Sequence, residues 1–156
     1  MRASLNAISE YTQSAPVNVS GLAKTLGLRV IDANIGDASG KIERDLDGGY
    51  LITINARHSE TRKRFTLAHE IAHYILHRHL IGDGIVDSAL YRSDRGDAVE
   101  RQANSYAASI LMPAPLVDEK WKAGADTPEL LAKAFHVSPT VAEIRIKELR
   151  LKSFAA

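Results

Sequence analysis

The chain contains no cysteine, and this one absence removes disulfide bridges, thiolate metal ligands and a cysteine nucleophile together. Any metal must then be held by nitrogen or oxygen. An excess of either charge is also lacking: 20 basic side chains stand against 19 acidic ones, a formal net charge of +1. No overall field therefore draws the chain towards nucleic acid or an anionic membrane. No stretch approaches the ~20 apolar residues of a membrane-spanning helix, and Met1-Arg2-Ala3-Ser4 leads into a mixed polar helix rather than the apolar core of a secretion signal. The expectation is a soluble cytoplasmic protein.

At 156 residues the chain has the usual size of one domain, enough to enclose a single core. One unit over 1–156 is expected, with N-terminal helices in 1–27, a sheet and catalytic helices in 28–115, and a helical subregion in 116–156. Apolar residues at helical spacing, punctuated by Pro16 and Gly27, predict two short helices at the start. Alternation over 28–35 and 50–54, with glycines between, predicts a small, mostly antiparallel sheet to which 41–44 adds a strand. The longest helical pattern covers 61–79, with Gly82 and Gly84 as its stop. Residues 82–96 read as a loop bordering a cleft. A further helix is predicted over 97–112, stopped by Pro113 and Pro115. Helices through Phe135 and over 140–149, joined by Val137-Ser138-Pro139, resemble a helix-turn-helix pair. The fold class is α+β.

Within the longest helix, His69-Glu70-Ile71-Ala72-His73 is an H-E-x-x-H pattern. Four residues of α-helix advance ~6 Å and turn ~40° past a full circle, so the two imidazoles stack on one face and can share one ion. Glu70 lies ~100° round from His69 and reaches the water beside the ion rather than the ion. Neutral imidazoles hold Zn²⁺ and leave it acidic enough to bring the pKa of water towards ~7. A carboxylate can then take the proton and later pass it to a leaving amine.

Two histidines leave the ion underligated, and a third protein ligand is needed. His77 stands ~12 Å along an intact helix from His69, too far to join bonds near ~2 Å, and is expected to pack or to orient its neighbours. The chosen donor is Glu100 on the later helix. Asn104 lies on the same helical face and could orient a ligand by a hydrogen bond from behind. Asp87, Asp94 and Asp97 remain alternatives. Tyr74, Tyr91 and Tyr106 could donate to an oxyanion, and the 50–54 strand could pair with an extended substrate. His58, His79 and His136 are left outside the site.

The block Arg64-Phe65-Thr66-Leu67-Ala68-His69-Glu70-Ile71-Ala72-His73-Tyr74-Ile75-Leu76-His77 resembles the core motif of the ImmA/IrrE family of zinc peptidases. A second block, from Glu100-Arg101-Gln102-Ala103-Asn104 to Ile110-Leu111-Met112-Pro113, is similar to the segment that carries that family's glutamate ligand, with Gln102 where the family often has a second acid. Softer similarity covers Leu22 to Gly27, Leu51 to Asn55 and Leu131 to Ser138. The resemblance implies a zincin-like domain, ligands His69, His73 and Glu100, and Glu70 as catalytic residue. It also implies a substrate: a helix-turn-helix transcriptional repressor, cut to induce genes of a mobile element or a stress response. The catalytic segment starts early, so the repressor is expected to be encoded separately. A rival reading is a non-cleaving anti-repressor or toxin-antitoxin component that only binds the repressor. A third, a DNA-binding regulator using Lys147, Arg150 and Lys152, finds no support in the overall charge. Manganese or iron could also occupy these ligands.

Overall fold

A computed structural model describes residues 2–88 and 97–152 of the chain. The architecture is α+β, with a mixed four-stranded sheet and seven helices among the described residues. Two short helices, α1 (Arg2–Tyr11) and α2 (Val19–Thr25), precede β1 (Leu28–Ala33), β2 (Ala38–Arg44) and β3 (Tyr50–Asn55). The long helix α3 (Glu60–Leu76) follows, then a 3-10 turn, β4 (Ile85–Ser88) and α4 (Asp97–Leu111). The chain continues through α5 (Ala114–Lys122), α6 (Pro128–Phe135) and α7 (Pro139–Glu148). No described helix is long and apolar enough to cross a membrane.

The sheet order is β1-β3-β2-β4, with β1 parallel to β3 and both β2 pairings antiparallel. β3 is thus interior, its hydrogen-bonding edges taken by β1 and β2, so it is a core strand and not an edge on which an extended substrate could pair. Its inner residues Ile52, Thr53, Ile54 and Asn55 are all buried. The buried amide of Asn55 donates to Gly36 O and Ala38 O at 3.0 and 2.8 Å and so pins the start of β2.

α3 lies between the sheet and α4. Ser59 caps its start by accepting from Arg62 N, and every residue from Thr66 to His73 is buried. Alanines occupy buried positions on both packed helices, Ala68 and Ala72 on α3 and Ala103 and Ala107 on α4. Short side chains permit close interaxial approach. Two buried or half-buried arginines tie the C-terminal helices to this layer. Arg64 of α3 donates to the carbonyls of Phe135 and His136 at the end of α6, and Arg145 of α7 donates to Met112 O at the end of α4. Each satisfies carbonyls that a helix terminus leaves without an internal partner.

Several expected boundaries move. The stretch read as a loop over 82–96 contains β4, whose four residues are too few to display alternation. α4 does end before Pro113, as expected, but the unpredicted helix α5 follows at once; Pro113 is its N-cap and Pro115 lies in its first turn, where a missing N–H costs no helical bond. α3 ends at Leu76, well before Gly82, because His77 leaves helical geometry with φ −126° and ψ 26°.

Candidate metal centre

α3 sets the rings of His69 and His73 at a centroid distance of 4.6 Å with their planes at 87°. His73 is fully buried and His69 nearly so. Across the interface, Glu100 near the start of α4 places one carboxylate oxygen 3.2 Å from Nε2 of His69 and the other 3.3 Å from Nε2 of His73. The N-terminal position suits a carboxylate, because the helix dipole is positive there. The Glu100 side chain keeps 26% of its exposure, while its Oε1 and the Nε2 atoms of both histidines are buried.

Asn104, one turn beyond Glu100, holds its Oδ1 2.8 Å from Nδ1 of His69. An amide oxygen only accepts, so His69 carries its proton on Nδ1, and a neutral ring then directs the lone pair of Nε2 at Glu100. Charge-assisted N–H···O bonds run about 2.7–2.9 Å. The separations seen are longer, and they match the ~3.3 Å edge of a tetrahedron with metal–ligand bonds of ~2.0–2.1 Å. Two imidazoles and one carboxylate, with no sulfur, form a donor set for a catalytic divalent ion with one position left for water. The donors present therefore fit a metal.

Glu70 is fully buried, and its carboxylate lies with the histidine ligand atoms in one group within 4.8 Å. Its place depends on β2. A Cβ built on Gly40 would stand 2.5 Å from Cγ2 of Thr66 and 3.2 Å from Oε2 of Glu70, so strand and helix approach this closely only because residue 40 has no side chain. Sequence reasoning read Gly40 only as a break between strands, whereas it lies inside β2. That reasoning passed over any contact of Gln102, whose Oε1 lies 2.8 Å from Nε2 of His77. No local pattern announces that pairing, which spans two helices.

Of the alternatives, Asp94 and Tyr91 lie outside the described residues, as do the side chains of Asp87 and Asp97. Tyr74 packs edge-on against Tyr50 and beneath the Arg78 guanidinium, while burial raises the pKa of Tyr106. His136 is the left-handed cap of α6, with φ 53°.

Residues 23–147 match the profile of the IrrE N-terminal-like domain, the M78 peptidase family. The chain belongs to this family. Among named members, the radiation response metalloprotease IrrE of Deinococcus deserti is 40% identical over 82 residues, which are 47% of this chain and 28% of that protein. The protein of the same name from Deinococcus radiodurans is 37% identical over 87 residues, 53% of this chain and 25% of that one. Metallopeptidase ImmA of Bacillus subtilis is 26% identical over 103 residues, 65% of this chain and 58% of ImmA. The chain thus spans about a quarter of the length of the two IrrE proteins. In fold it is similar to a Mycobacterium tuberculosis transcriptional regulator, with a TM-score of 0.63 at 16% identity over 94% of this chain and 46% of that one.

Proposed function

We propose that this chain is a cytoplasmic zinc endopeptidase, with His69, His73 and Glu100 as ligands and Glu70 as general base and acid. The observation that carries this reading is the convergence of one carboxylate on the Nε2 atoms of two histidines one helical turn apart, at spacings suited to a shared ion. Family membership and the metallopeptidase names of the relatives support it.

Zinc in this donor set supplies a Lewis acid that polarises the scissile carbonyl and acidifies water. Everything else falls to the chain. His69 and His73 present neutral lone pairs, so Glu100 offsets only one of the two positive charges and the centre keeps its electrophilic character. Glu70 takes a proton from the attacking water and delivers it to the departing amine. Its burial excludes bulk solvent, which strengthens each of these interactions.

The substrate in this reading is a helix-turn-helix repressor whose removal induces mobile-element or stress-response genes. It rests on the family likeness. The α6–α7 pair contributes Leu131, Phe135 and Ala142 to the core, and a net charge of +1 lends DNA binding no support. The test incubates the zinc-loaded chain with the helix-turn-helix protein encoded beside it and follows fragments on a gel. Wild type should cut, and Glu70→Gln should retain zinc while cleavage falls by about 10²–10⁴-fold. Equal release of the repressor from its operator by both proteins, without fragments, would favour the docking-only alternative.

A further inference from the structure

A third buried histidine, His77, takes no part in the chemistry above. It is the C-cap of α3, 4% exposed, with its amide on His73 O at 2.8 Å. From there its ring lies behind His73, at a centroid distance of 5.1 Å. Nδ1 of His77 is 3.0 Å from Nδ1 of His73, and its Nε2 is 2.8 Å from Oε1 of Gln102 on α4.

A hydrogen bond between two imidazole nitrogens needs one proton, so one Nδ1 donates and the other accepts. Nε2 of His73 faces Glu100, and as a metal ligand it must carry a lone pair, which leaves the proton of a neutral ring on Nδ1. His77 therefore accepts at Nδ1 and keeps its own proton on Nε2. The atom facing that proton is an amide oxygen, which only accepts. The three groups agree in one direction alone, His73 to His77 to Gln102.

We propose that His77, backed by Gln102, is a positioning residue that fixes the tautomer and ring orientation of His73. This rests on the metal-centre reading above. His69 has its counterpart in Asn104, so each ligand histidine is steadied by an α4 amide oxygen, one directly and one through an intervening imidazole. A ligand ring held in the right tautomer loses less freedom on binding the ion and is a better donor.

Asparagine sets a carbonyl oxygen where the Nδ1 of histidine stands, whereas leucine offers only methyl groups. In chelator competition with the full chain, His77→Leu should bind zinc about 10–100-fold more weakly than wild type, and His77→Asn should recover most of that loss. Gln102→Met should lose less than His77→Leu, because Gln102 is exposed and water can take its place. The visible bands of bound Co²⁺ should shift in the leucine variant and stay in the asparagine one. The ¹⁵N spectrum of wild type should show His77 protonated on Nε2. Simple packing predicts the reverse order, with leucine filling the buried space better and keeping both stability and affinity. That order, unchanged zinc affinity in both His77 variants, or a His77 protonated on Nδ1 would overturn the proposal. If His77→Leu does not fold, Gln102→Met and the ¹⁵N spectrum decide. A wild-type chain that takes up neither zinc nor cobalt would remove the metal-centre reading itself.

Discussion

Helices α3 and α4 both face the centre, but they arrive there by different means. On α3 the groups that matter are neighbours in sequence, and eight consecutive residues from Thr66 to His73 are buried. Their mutual placement follows from the pitch of one helix, whatever surrounds it. On α4, Glu100 and Asn104 remain partly open to solvent, and neither has a relation to His69 until the two helices pack. The difference separates chemistry written by a local repeat from chemistry that depends on an interface. Substitutions on the two sides should fail differently.

The sharpest break comes at Glu100. Glu100→Ala removes the ligand proposed on α4, and zinc affinity should fall by more than the roughly 100-fold upper range for outer partners, with the far-UV circular dichroism of the metal-free chain unchanged. A chain that still holds zinc as tightly would move the third ligand elsewhere, with Asp94 the first candidate. Asn104→Leu should cost less, about 10–100-fold in zinc affinity. Its effect should be confined to the His69 side, so combining it with His77→Leu should give near-additive losses in ΔG if the two supports act independently. Near-complete non-additivity would show that α4 steadies both rings as one unit.

The mildest change tests the sheet rather than either helix. Gly40→Ala forces a methyl group against Thr66 and Glu70, and overpacking of this kind costs typically 1–3 kcal/mol, readable as a lower urea midpoint. Cleavage should fall as Glu70 is displaced while zinc affinity holds, because the three atoms nearest that methyl belong to Thr66, Thr53 and Glu70 and not to a proposed ligand. Loss of zinc in step with activity would mean that β2 supports the whole centre and not Glu70 alone.

Most of the fold was legible where a pattern is long enough to repeat. The two early helices, three of the strands, α3, α4, α6 and α7 all show in the spacing of apolar residues or in their caps. β4 was not, because four residues cannot establish a period. Nor was α5, because a proline reads the same whether it ends one helix or opens the next, and only the chain's path after Met112 separates the two. The parallel pairing of β1 with β3 was equally hidden, since alternation reports which residues face inward and not which strand lies alongside.

By itself the sequence determined the motif on α3: once residues 60–76 are helical, backbone geometry alone stacks His69 on His73 and turns Glu70 aside. It also limited any ion to nitrogen and oxygen donors, through the lack of cysteine. Tertiary structure decided everything that joins separate segments. The approach of Glu100 to both rings, the close passage of β2 at Gly40, and the path from His73 through His77 to Gln102 all arise from packing. Contacts between residues distant in the chain depend on how whole elements settle against one another, and no local spacing encodes that.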